Sequence, residues 1–133
     1  LGDRTPADLP QDAPVLLIDR LGVMGPCYAA AGLCLTGGSL SDRGGHTPWE
    51  PAAHACALLH GPHVSNFTAA YQALQAAGAA DPVRAETLAA TVGGLVDAPD
   101  RMRAMGRAAR AALDAAAPDP APLVAALLAL ARR

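Results

Sequence analysis

The sequence predicts an α/β fold: a Rossmann-like open parallel sheet with helices on both faces and a helical C-terminal tail. Three observations lead there. Short, wholly apolar runs recur along the chain, as strands buried on both faces of a parallel sheet require. They alternate with stretches of helical periodicity, the pattern of repeated βαβ units. Aromatic residues make up only 3% of the 133 residues while 52% are hydrophobic, so the core must be built from Ala, Leu and Val, whose small side chains suit close packing of helix on sheet.

The elements follow in order. Val15-Leu16-Leu17-Ile18, ended by Asp19, reads as the first strand. Residues 25–32 (GPCYAAAG) form a short helix, and residues 33–36 (LCLT) a second strand that runs into Gly37 and Gly38. After a loop, a helix is expected over residues 48–56 and a third strand over 57–60, broken by Gly61-Pro62. Residues 66–77 space Phe67, Ala70, Tyr71, Leu74 and Ala77 by three and four, and Gly78 stops that helix as a C′ residue. Residues 79–83 read as a fourth strand. Helices are expected over 85–96 and 100–116, the latter striped by Met102, Met105, Ala109 and Leu113. Pro118, Pro120 and Pro122 interrupt before a last helix over 123–131. Residues 1–14, polar and rich in proline, read as a linker or residual segment from a preceding domain, and 15–133 as one domain.

Composition narrows the function. A formal charge of -2 argues against a nucleic-acid binder, which needs a concentrated basic surface. Cys27, Cys34 and Cys56 cannot all pair within the chain, and each sits among small apolar residues, as buried thiols in a reducing compartment do. No apolar run approaches the roughly 20 residues of a spanning helix, so the segment is expected to be soluble. The start at Leu1 suggests a piece of something longer, with a partner domain elsewhere.

In an open parallel sheet the ligand lies outside the carboxyl ends of the strands, so the loops after Ile18, Thr36 and His60 matter most. The richest is residues 37–51, GGSLSDRGGHTPWEP. Its two glycine pairs let the backbone approach a ligand closely, and a helix start beyond them favours an anion, either phosphate or carboxylate. The alternative is that the glycines only make tight turns, since neither GxGxxG nor the Walker pattern is present. Thr47, Pro48 and Glu50 match a T-x-x-E capping box, which would occupy Glu50; otherwise its carboxylate is available to the hydroxyls of a ribose or sugar. His46, beside the glycines, is placed to donate to an anion. The other histidines, His54, His60 and His63, do not line up with Cys56 as metal ligands, because a strand separates them. Ser65 or Asn66 can cap the helix after the third strand. Ser39 lacks the G-x-S-x-G elbow of a hydrolase nucleophile.

Taken together, Gly37-Gly38-Ser39, Arg43-Gly44-Gly45-His46, Glu50-Pro51, Gly61-Pro62-His63 and Asn66-Phe67 resemble, in order and spacing, the motif series of the Kdo (3-deoxy-D-manno-octulosonic acid) transferase family of lipopolysaccharide biosynthesis. Asp19, Gly22 and Tyr28 are similar to that family's D-T-x-G-E-L segment and the tyrosine after it. The resemblance covers about residues 13–80. It implies one half of a GT-B glycosyltransferase, the C-terminal domain that binds the donor CMP-Kdo. The acceptor, a lipid A precursor, and the catalytic base would belong to the missing N-terminal domain, and the full-length protein would work at the cytoplasmic face of the bacterial inner membrane. This chain alone would then hold no catalytic residue and be inactive, and the reaction would need neither metal nor other cofactor. Carried over position by position, Gly37, Gly38, Ser39, Gly44, Gly45, His46, Glu50 and Asn66 would line the donor site. Two positions differ from the family pattern: Thr47 stands where it has Asn, and Val23 where it has Glu. A divergent GT-B relative with another donor, or a nucleotide-binding module without transferase activity, is the alternative reading.

Overall fold

The computed structural model of the chain describes residues 15–19 and 21–131. The linker expected over residues 1–14 and the loop residue Arg20 lie outside the described residues. Helix α1 (Met24–Ala30) leads into strand β1 (Leu33–Leu35), and α2 (Trp49–Ala53) into β2 (Ala57–His60). A 3₁₀ turn (Ser65–Phe67) and α3 (Thr68–Ala76) precede β3 (Ala80–Pro82), and α4 (Ala85–Val96), α5 (Pro99–Ala116) and α6 (Ala121–Ala131) follow.

The described strands form one sheet in the order β1-β2-β3, parallel throughout. Leu33 lies opposite Ala57, and Leu58 opposite Ala80. All four residues of β2 are buried, as a central parallel strand demands. Side chains alternate across a strand, so Leu58 points to one face, with Ala52, Leu74, Ala80 and Ala109. Ala57 and Leu59 point to the other, with Val83, Leu95 and Met105. Helices therefore cover both faces. Leu58, Leu59, Leu74 and Leu95 are fully buried and each stabilises the fold by roughly 1.5–3 kcal/mol.

Helix α5 belongs to both clusters because it passes beneath the N-terminal end of β2. There Gly106 lies so close to the Ala55 carbonyl that any Cβ would overlap it. The close approach leaves the opposite, carboxyl end of the sheet to the loops. Helix α3 ends as its sequence predicts: Gly78 takes φ +67°, its N–H donates to the Gln75 carbonyl at 2.9 Å, and the Ala79 N–H donates to that of Leu74 at 2.9 Å.

Three expectations are corrected. Residues 15–19 form no strand, and Val15, Leu16, Leu17 and Ile18 are exposed. A strand needs both a ladder partner and covered faces, and on this flank α1 buries none of its residues. Second, α2 is shorter than expected and begins one residue later. Pro48 is its N-cap, and the Trp49 N–H reaches the Thr47 hydroxyl at 3.4 Å, so Thr47 makes a local turn and no capping box forms. The helix also ends early, because Ala55 takes a left-handed φ of +55° that turns the chain into β2. Third, α6 begins two residues earlier than expected, at Ala121, and buries nothing, with Leu123, Leu127 and Leu130 all exposed.

Candidate functional site

The loops at the carboxyl ends of β1 and β2 are tied into one hydrogen-bonded cluster. Gly38 and Gly45, both at positive φ, fold residues 38–45 back on themselves. The Gly45 N–H donates to the Gly38 carbonyl at 3.3 Å and the His46 N–H to that of Gly37 at 3.0 Å. The next loop is stitched across the first. The His63 N–H donates to the Ser39 carbonyl and the Asn66 N–H to the Gly44 carbonyl, each at 3.0 Å. The Asn66 amide donates to the carbonyls of Arg43 and Gly45 at 3.1 and 3.3 Å. It fills the space where Gly44 would otherwise carry a Cβ. Gly37-Gly38-Ser39, Arg43 through His46, Gly61-Pro62-His63 and Asn66-Phe67 thus meet at one place.

Ser39 has a different role from the one its position suggests. It is fully buried, its hydroxyl donates to the Thr36 carbonyl at 2.6 Å, and it accepts the Gly61 N–H at 2.9 Å. Both bonds point inward, so the side chain braces the loop and does not line an open surface. Gly61 is forced by the same crossing, because a Cβ there would overlap the Ser39 carbonyl. The Gly45 and His46 N–H groups are also spent within the loop. What remains outward is side chain: the His46 imidazole and the Arg43 guanidinium, both exposed. The His46 ring lies over the glycine pair, where a Cβ on Gly37 would come 3.2 Å from its Nδ1. Its carbonyl is held by the Tyr71 hydroxyl at 2.8 Å. The His46 backbone is therefore held from behind, and its side chain is exposed.

Glu50 sits one step away, exposed on α2. With no capping box to fill, its carboxylate faces a cleft of about 370 Å³ between α1 and α2, lined also by Gly22, Met24, Gly25, Tyr28, Ala53 and His54. Burial pushes the Tyr28 phenol above its ordinary pKa, and negative charge at Cys34 and Glu50 adds to the shift.

His60 and the cysteines have structural roles. His60 is buried, its Nδ1 lies 2.7 Å from the Gly61 carbonyl and so carries the proton, and its Nε2 meets the Gln75 amide at 3.1 Å. Cys56 points its thiol at the Tyr28 and Ala31 carbonyls, 3.3 Å from each, and pins α1 to the sheet. Burial, with Cys56 nearby, raises Cys34 to about 11, which keeps it a thiol at neutral pH. Among the described residues no three His, Cys, Asp or Glu side chains converge on one point. No single described helix is long and apolar enough to cross a membrane.

Two roles escaped the sequence. Tyr28 and His54, with ring centroids 6.1 Å apart, share the wall of the cleft, a pairing across 26 positions that no local pattern signals. Gly106, isolated in a helical stretch, marks the close approach beneath β2, and a lone glycine in a helix is a signal of that kind.

No family model matches the chain. It is 40% identical to a 3-deoxy-D-manno-octulosonic acid transferase of Bordetella pertussis over 98 residues, 73% of this chain and 23% of that protein. It is 33% identical to the enzyme of the same name from Haemophilus influenzae over 72 residues, 53% of this chain and 17% of that one. The chain thus spans about a fifth of the length of the curated relatives it matches. In structure it resembles the C-terminal CMP-Kdo binding domain of WaaA from Acinetobacter baumannii, with a TM-score of 0.67 and 23% identity over 72% of this chain and 51% of that one. The parallel α/β fold expected from the sequence is the fold of that domain.

Proposed function

We propose that this chain, related by sequence to the 3-deoxy-D-manno-octulosonic acid transferases, is the half of such a glycosyltransferase that binds the activated sugar donor, CMP-Kdo. The observation that carries the reading is the 40% identity to a named transferase, in a chain whose glycine loops are tied into one site at the carboxyl end of the sheet.

In this reading a hydroxyl of the acceptor, a lipid A precursor, attacks the anomeric carbon of the donor sugar. The bond from that carbon to the phosphate oxygen breaks, CMP departs with the negative charge, and the hydroxyl proton passes to a base outside this chain. His46 and Arg43 supply hydrogen-bond donors to the departing phosphate, where charge develops. Glu50 accepts the ribose hydroxyls, as an acidic residue does in dinucleotide-binding folds. Gly37, Gly38, Gly44 and Gly45 keep the loop low enough for the phosphate to come close, and Ser39 and Asn66 hold that loop in shape. The protein of which this is a part would act at the cytoplasmic face of the inner membrane, and this chain alone would bind donor without turning it over.

A second reading, a relative with another donor nucleotide, is favoured by one observation: Thr47 is taken up by its bond to the Trp49 N–H and presents no amide to a ligand. One titration separates the two. Amide spectra of the chain with CMP, UMP and GMP should shift around residues 43–46 and 50 for CMP at submillimolar to millimolar concentration. A stronger response to UMP or GMP would transfer the proposal to another donor, and none to any nucleotide at 10-fold higher concentration would end it.

A further inference from the structure

Helix α6 is apolar around its whole circumference, and none of its residues is buried. Leu123, Val124, Leu127, Leu128 and Leu130 are each between 50% and 65% exposed. A helix apolar on every side calls for a cover. The same chain carries a surface that fits one. Trp49, Phe67, Ala69, Ala70, Ala73 and Ala116 line a groove of about 440 Å³ where the start of α2, α3 and the end of α5 meet. Four alanines beside two large aromatic rings leave room for branched side chains, as a seat for an apolar helix does.

The junction between α5 and α6 keeps α6 out of its own chain's groove. The two helices are bent by only 44°, so α6 runs onward from Ala116 instead of folding back beside α3. Ala117 is extended, as a residue before proline is, and Pro118 and Pro120 fix their own φ. The Asp119 carboxylate then accepts the Ala121 N–H at 3.0 Å. A second copy has no such constraint. At roughly 60–120 Å² of apolar area per Leu or Val side chain, the five exposed side chains offer about 200–350 Å² on each α6. Counting the groove they cover, and the same contact made twice about a two-fold axis, the total is on the order of 1,000 Å², enough for a specific interface. Helix and groove belong to one sequence, so a reciprocal pair uses both and closes.

We propose that this chain pairs with a second copy of itself, α6 of each lying in the groove beside Trp49 and Phe67 of the other. The seat adjoins the candidate site: Asn66, whose amide holds the glycine loop, also lines the groove, and Trp49 directly precedes Glu50. The pairing requires nothing of the donor-binding reading.

Sedimentation and tryptophan emission test it together. The unsubstituted chain should pass from monomer to dimer between about 1 and 300 μM. Over the same range the emission of Trp49, its only tryptophan, should move to shorter wavelength as the groove is covered. Two substitutions at exposed positions divide the contact, Leu127→Glu on α6 and Ala73→Arg in the groove. Each alone should weaken dimerisation by about 10-fold or more, since each places an unpaired charge in the interface, and should remove the emission change. An unchanged urea midpoint of the monomer establishes that each variant is folded. Mixed in equal amounts, the two variants should associate again, because an intact α6 meets an intact groove at one contact and the new glutamate meets the new arginine at the other. A chain that stays monomeric throughout overturns the proposal, as does a mixture that fails to associate. A dimer that Ala73→Arg leaves intact overturns it too, and would place α6 against α6.

Discussion

Replacing Gly61 with Ala should dismantle the site from within, because the new methyl group lands on the Ser39 carbonyl. Either the Gly61 backbone retreats or the glycine loop does. Retreat breaks the bond from the Gly61 N–H to the Ser39 hydroxyl at 2.9 Å and the bond from the His63 N–H to the Ser39 carbonyl at 3.0 Å. A hydrogen bond is worth about 1 kcal/mol net, and a buried partner left unpaired costs about 1–3 kcal/mol. Overpacking against backbone, which cannot swing aside as a side chain can, adds about 1–3 kcal/mol. The expected loss is about 3–5 kcal/mol, a large share of the 5–15 kcal/mol typical of a whole domain. Urea unfolding of the two proteins, with stability taken from the midpoint at constant slope, measures it. Gly93→Ala is the control of opposite sign. That glycine lies within α4 with open space around its Cβ position, so the change should stabilise by roughly 0.5–1 kcal/mol. A loss below about 1 kcal/mol for Gly61→Ala would mean that the crossing of the two loops does not hold the site together.

Three further outcomes are expected. Glu50→Gln should weaken CMP binding by about 10-fold or more, the scale of one charge-assisted hydrogen bond, and change stability by less than about 0.5 kcal/mol, because the carboxylate caps nothing; loss of stability without loss of affinity would return Glu50 to a structural role. Burial raises Cys34 from an ordinary 9 to about 11, so the folded state keeps its proton where the unfolded state has lost it. Its contribution is full below pH 9 and is lost as pH climbs to 11, roughly 1–2 kcal/mol after allowing for its partial exposure. The difference in urea midpoint between pH 8 and pH 10.5 should therefore shrink in Cys34→Ala. Finally, α6 buries no residue, so ending the chain at Ala117 should change stability by less than about 1 kcal/mol and reduce self-association in sedimentation. A large loss would show that α6 packs on the domain.

The parts of the fold that were legible in the sequence are those governed by short-range rules. β2 was readable because it is apolar at every position and stops at Gly61-Pro62, and α3 because its buried Ala70, Tyr71 and Leu74 fall on one face and Gly78 supplies the left-handed cap. The same rules overreached at Val15-Leu16-Leu17-Ile18, where an apolar run lacks the covered neighbour that makes a strand, and at Thr47 and Glu50, where a capping pattern did not become a capping box. In both cases a local pattern requires a partner that local sequence does not specify. The site divides in the same way. The spacing of the glycines, His46, Glu50 and Asn66 pointed to loops that the structure ties together, but which of them face outward depended on how two segments 22 residues apart cross.

By itself, then, the sequence determined the alternation of elements, the small-residue core, the loops that carry the candidate site and the family they resemble, because each follows from spacing along one chain. Tertiary structure alone decided that Ser39 and Asn66 brace the loop while His46 and Arg43 face out, and that Glu50 is released to a cleft shared with Tyr28 and His54. Those assignments depend on contacts between segments far apart in sequence, where the hydrogen bonds a group makes on one side settle what it has left to offer on the other.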